Sequence, residues 1–210
     1  MPSRIVRFVS LVLLVGCLPA PHSVIGAACD DARDPCPEPL YCVLGRCQED
    51  VPPDTVVLFS DFEAADSRWE GRRTQLSSAQ RHDGGSSLQV IATETAPPAV
   101  ETRANAIGGV AGIYCASAWV RHGLGNGLVT LEVRGFNVGG ALVAPGPAIT
   151  FMVPDSGRTF DRLQTGFFSD GGSVSDVRVS VSSNGASPAD FYLDDVTVVR
   201  TVKPACPAAQ

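Results

Sequence analysis

Lysine is almost missing from this chain. It occurs once, at Lys203, and every other basic residue is arginine. We read that as the codon bias of a GC-rich genome. Sixteen basic residues stand against 22 acids, a net charge of −6, and no basic cluster lies outside the N-terminus. That excludes an electrostatic nucleic-acid surface. Histidine is scarce and scattered, at His22, His82 and His122. No G-x-S-x-G elbow, no H-E-x-x-H pair and no phosphate loop is present, so no constellation for independent catalysis emerges. Long apolar runs are missing too. The longest, Phe8 to Val15, is too short to span a bilayer. Aromatic residues make up 7% of the chain, with only Trp69 and Trp119, and Tyr41, Tyr114 and Tyr192. That is thin for a platform that lies flat on a crystalline polysaccharide. No stretch of ten residues holds a helical period.

What is present begins with an export pattern. Arg4 and Arg7 precede the Phe8–Val15 run. Leu14-Val15-Gly16-Cys17 then resembles the lipobox of bacterial lipoproteins. The resemblance implies cleavage before Cys17 and a lipid on it, which anchors the chain to a membrane at the outer membrane or cell surface. An ordinary signal cut after Ala27 or Ala28 stays open, with a secreted or periplasmic product. The seven cysteines agree with export: with Cys17 lipidated or removed, six remain, an even number for an oxidising compartment.

Residues 1–16 are thus expected to be a signal peptide, 17–28 a tether and 29–47 a cysteine-rich knot. Residues 48–54 read as a charged, proline-rich linker, 55–203 as the main domain and 204–210 as a tail. The knot holds Cys29, Cys36, Cys42 and Cys47 in nineteen residues. So short a segment cannot bury a core of its own and needs staples. Its spacings do not suit zinc, and it contains no His. Three pairings are possible. The resemblance of Cys42-Val-Leu-Gly-Arg-Cys47 to small knots ending in C-x-x-G-x-C implies Cys29–Cys42 with Cys36–Cys47. Cys115 and Cys206 remain as a pair that would tie the tail to the Cys115 strand.

From Thr55 the apolar residues alternate with period two. Strands are expected at Thr55–Ser60, around Trp69, through Leu88, Val90 and Ala92, and through Val100, Thr102, Ala104 and Ala106. More follow at Ile113–His122, Val129–Val133, Ala148–Val153, Arg162–Phe168, Val177–Val181 and Asp190–Val199. With 21 Gly and 16 Pro for turns, this is an all-β chain, and a β-sandwich jelly roll fits it best. Asp194 and Asp195 are out of character inside a strand. A bulge there, or a cation beside them, would make them tolerable. Asp61 and Glu63 close the first strand in the same way, so the first and last strands should meet around these acids. Trp69 reads as a lid over the core edge.

Several segments together resemble carbohydrate-binding modules of the family 4, 9 and 22 type, which are galactose-binding-like jelly rolls. They are Phe59-Ser-Asp-Phe-Glu63 with Trp69, His82-Asp-Gly-Gly-Ser-Ser-Leu-Gln-Val90, Tyr114-Cys-Ala-Ser-Ala-Trp-Val-Arg121 and Phe191-Tyr-Leu-Asp-Asp-Val196. The likeness spans roughly residues 55–200. It implies a structural calcium held by Glu63 and Asp194 with backbone oxygens, Asp61 and Asp195 being weaker ligands, and calcium accounts for these acids better than a glycosidase pair does. It also implies non-catalytic glycan binding. Strand parity puts Trp119 and Arg121 on an outer face, and the same parity turns Glu132, Arg134, Arg162, Gln164 and Arg178 outward. Trp119, Arg121, Glu132, Arg134, Gln164 and Arg178 are therefore the expected ligand residues, in a cleft for a soluble or branched glycan. The alternative is a non-catalytic structural or protein-interaction lipoprotein with an unknown protein partner, using the sandwich as a spacer or adhesion block.

Overall fold

The computed structural model describes residues 27–28, 36–37, 40–43, 46–48, 54–93, 97–123, 127–153, 159–184, 190–203 and 205–206. Cys17 and Cys29 lie outside the described residues, as does the side chain of Cys42. The knot contributes a hairpin of β1 (Tyr41–Val43) and β2 (Arg46–Gln48), with Ala28 bridged to Arg46. Cys36 is bonded to Cys47, as the knot resemblance implied.

Two antiparallel sheets form the sandwich. The first runs β11 (Leu142–Val153), β10 (Gly127–Phe136), β13 (Asp176–Asn184), β7 (Ala99–Thr102), β4 (Trp69–Gly71), with β8 (Ile107–Gly108) also paired to β13. The second runs β12 (Asp161–Ser169), β9 (Gly112–His122), β14 (Phe191–Thr201), β6 (Ser87–Val90), β5 (Thr74–Ser77), with β3 (Thr55–Ser60) also on β14. No helix occurs among the described residues. The all-β sandwich expected from the period-two pattern is what the chain forms.

The alternation in each strand makes the core. Val129, Leu131 and Val133 on β10 and Val177, Val179 and Val181 on β13 are fully buried. They face Ala116, Ala118 and Val120 of β9 and Leu193, Val196 and Val198 of β14 in one cluster. Each valine or leucine among them gains about 1.5–3 kcal/mol from leaving water. Trp69 belongs to this cluster and is 6% exposed, so it is core rather than a lid over its edge. Its ring leans on Phe62, and its indole N–H donates to Ser60 Oγ at 2.8 Å.

Two local departures have physical causes. The alternation through Val100 and Thr102 does not continue to Ala104 and Ala106. Residues 103–106 form a turn in which Ala106 N–H donates to Arg103 C=O, with Asn105 at φ 63°. At the other end, β14 bulges between Asp194 and Thr197, and Asp195 has φ 44°. The bulge is how two adjacent aspartates enter a central strand. β3 and β14 do meet there, with Ser60 opposite Val196.

Candidate functional site

The outer face of the first sheet carries a charged row. Glu70 on β4 lies opposite Glu101 on β7, Glu101 opposite Ser180 on β13, and Ser180 opposite Glu132 on β10. One step along, Arg134 faces Arg178. These side chains point outward because their neighbours, Val100, Val133 and Val179, point into the core. Carboxylates placed in line across strands repel, and Arg134 offsets the repulsion. Its guanidinium lies 3.3 Å from Glu101 and 3.4 Å from Glu132. Burial pushes the Glu101 carboxyl pKa up, Arg134 and Arg178 pull it down, and Glu70 and Glu132 add to the rise.

Glu101 Oε1 and Arg134 Nε are buried yet make no hydrogen bond among the described residues. Their ion-pair contacts are long for charge-assisted bonds, so acceptor and donor capacity remains. Both residues line a groove of about 520 Å³, together with Glu70, Gly71, Arg72 and Ser180. Its wall is tight at Gly71, where a Cβ would lie 2.7 Å from Thr74 Cγ2 and 3.0 Å from Ala99 O. No aromatic side chain lines the groove among the described residues.

Arg178 is committed elsewhere. Its Nε donates to Asp176 at 2.8 Å, and its guanidinium sits 4.1 Å over the Phe136 ring.

The six residues expected to share one ligand face are on two. Glu132, Arg134 and Arg178 are on the first sheet, while Trp119, Arg121 and Gln164 are on the outer face of the second. Parity tells inside from outside within a strand but not which sheet the strand joins. Nor is Trp119 an open platform. His82 stacks on it face to face, 3.9 Å between centroids and 14° between planes, and Phe160 meets His82 edge-on. Arg162 sits 6.0 Å from the Trp119 ring. The same face carries the Cys115–Cys206 disulfide, as the cysteine pairing required. Its sulfur crosses Gly166 of β12, where a Cβ would come within 2.5 Å of Cys206 Sγ.

The acid set gathers around one turn, residues 82–86. Asp194 is fully buried, and its two oxygens accept the N–H groups of His82 and Asp195 at 2.8 and 2.9 Å. Glu63 Oε1 accepts from Gly85 N–H at 2.7 Å and Ser86 N–H at 3.2 Å. A Cβ at Gly84 would run into the Glu63 carboxylate. Burial raises the Asp194 pKa and Asp195 adds to the rise, while N–H donors from His82, Asp195 and Asp83 oppose it. Asp61 Oδ1 turns back to Glu63 N–H, and Asp195 pairs with the His82 ring at 2.8 Å. Among the described residues no three His, Cys, Asp or Glu side chains converge on one point. The oxygens that an ion would have to meet, on Glu63 and Asp194, accept backbone N–H groups here, so the turn is held as a hydrogen-bonded clamp.

The described residues form a two-sheet antiparallel β-sandwich with a charged groove on one sheet. No protein-family model matches the chain. No curated protein matches it either. Solved structures do. The CBM22-1 xylan-binding domain of Paenibacillus barcinonensis Xyn10C superposes with TM-score 0.57 at 19% identity, over 72% of this chain and 97% of that one. The CBM22-1–GH10 modules of Clostridium thermocellum endo-1,4-β-D-xylanase 10B, solved with xylohexaose, match with TM-score 0.55 at 18% identity, over 74% of this chain and 30% of that one. At such identities the likeness establishes the fold.

Proposed function

We propose that this chain is an exported, non-catalytic glycan-binding protein whose sugar site is the groove on β4, β7, β13 and β10. The observation that carries the reading is the Glu101–Arg134 pair, buried and incompletely hydrogen-bonded in a groove that opens to solvent. A carboxylate beside a guanidinium offers acceptors and donors side by side, which matches the hydroxyls of a sugar ring. Without an aromatic floor, the ligand is held along a cleft by hydrogen bonds rather than by stacking. Of the two neighbours above, one is named as xylan-binding and the other was solved with xylohexaose. A β-1,4-xylo-oligosaccharide is therefore the first ligand to try. Calorimetric titration tests it: the wild-type chain binds, and Glu101→Gln binds at least about tenfold more weakly.

The same proposal includes lipidation at Cys17, hence a place at the bacterial outer membrane or cell surface, and a structural calcium between Glu63 and Asp194. Mass spectrometry of the membrane fraction tests the lipid, and metal analysis of purified protein tests the ion. A second reading, a spacer or adhesion block without a glycan, draws support from the covered state of Trp119. A folded chain that binds no glycan in a broad array would favour it.

A further inference from the structure

A second hollow, of about 300 Å³, adjoins the groove and shares Arg72 and Ala99 with it. Ile91, Pro97, Pro98 and Ala99 give it an apolar lining, Thr93 a polar one, and Arg72 and Arg73 line it as well. These two arginines are the crossing from β4 in one sheet to β5 in the other. Their backbone is fixed, since Arg73 C=O accepts Ile91 N–H at 2.9 Å.

Four arginines nearby in sequence or space are paired: Arg68 with Asp66, Arg103 with Glu70, Arg134 with Glu101 and Arg178 with Asp176. Among the described residues, Arg72 and Arg73 have no such partner, and no acid lines the hollow. Two adjacent unpaired guanidinium groups are unexpected in a chain of net charge −6. Beside this apolar lining they make a site for a group with a flat apolar face and an anionic edge. A sugar ring bearing an acid has that shape, its C–H face on the apolar lining and its charge between the arginines. The volume is at the low end for a ligand pocket and suits one ring.

We propose that this hollow receives an anionic sugar unit, carboxylate or sulfate ester, of a glycan whose main chain lies in the groove. The inference rests on the glycan-binding reading above and adds the class of glycan to it.

The test uses the full chain and three probes: xylohexaose, a xylo-oligosaccharide carrying one glucuronate branch, and the same backbone carrying one sulfate ester. The acidic probes should bind about three- to tenfold more tightly than xylohexaose in low salt, and the preference should fade as salt rises. The ratio between the two acidic probes tells carboxylate from sulfate. Arg73→Gln, which lines only the second hollow, should remove the preference and leave the affinity for xylohexaose unchanged. Equal binding of neutral and acidic probes by wild type, or a preference that survives in Arg73→Gln, overturns the inference and leaves the glycan reading standing. Binding of none of the probes overturns both.

Discussion

The Arg134 guanidinium reaches across strand β13 to lie 3.3 Å from the Glu101 carboxylate. It keeps a half-buried acid in a row of like charges tolerable. Glu101→Gln removes the charge and keeps the shape. Because burial raises the Glu101 pKa, the folded state holds this proton more tightly than the unfolded chain. Its contribution to stability is greatest below the unfolded value and falls as pH rises through the folded one. The melting temperature of wild type minus that of Glu101→Gln should therefore decline as pH is raised from below 4 to 7. A difference that grows over that range contradicts the assignment.

Asp66 runs the other way. Burial would raise its pKa, but hydrogen bonds from Arg68 and Ser60 bring it down to about 2. Its stabilising contribution is complete above the ordinary carboxylate range and is lost as pH falls through about 2. Ser60 Oγ donates to Asp66 at 2.6 Å and accepts from the Trp69 indole at 2.8 Å. Ser60→Ala orphans the indole and should cost about 1–3 kcal/mol in urea unfolding. A cost near zero would mean that the network does not hold the first strand to the core.

The turn at residues 82–86 is gripped by Asp194 and Glu63 from two sides. Asp194→Ala leaves two N–H groups unpaired and should destabilise by about 2–5 kcal/mol. If calcium occupies this site, EDTA lowers the melting temperature of wild type and does nothing further to Asp194→Ala. Equal melting with and without EDTA, and no calcium in the purified protein, removes the ion and leaves the hydrogen-bonded clamp.

Gly166 makes room for the disulfide on the second sheet. Cys115→Ala with Cys206→Ala should cost about 2–4 kcal/mol. Gly166→Val should hinder the bond, read as free thiols by mass spectrometry. Quantitative disulfide formation in Gly166→Val would show that the tail can cross β12 by another path.

Much of this fold was legible in the sequence, because period-two alternation is a direct consequence of one buried face. The pairs Val129/Val133 and Val177/Val181 showed it plainly. The bulge at Asp194–Asp195 was legible as a conflict between residue type and strand. The alternation of Val129, Leu131 and Val133 turns Glu132 and Arg134 outward, but it does not name Glu101 as their partner. The alternation of Val100 and Thr102 turns Glu101 outward, but its meeting with Arg134 depends on β13 lying between β7 and β10, which no local pattern reports. Trp119 was correctly put on an outer face. His82, which covers it, comes from a turn 37 positions earlier in the chain, and no local pattern reports such a contact. The two unpaired arginines at 72–73 gave no signal, since pairing is a property of the folded surface.

The most direct test of the sugar site compares calorimetric titrations of xylohexaose into wild type, Glu101→Gln, Arg134→Ala and Trp119→Ala, each confirmed as folded by thermal melting. With the sugar in the groove, Trp119→Ala binds like wild type, while Glu101→Gln and Arg134→Ala lose at least about tenfold. Loss of binding in Trp119→Ala alone, with both groove variants unaffected, would contradict it and move the site to the second sheet.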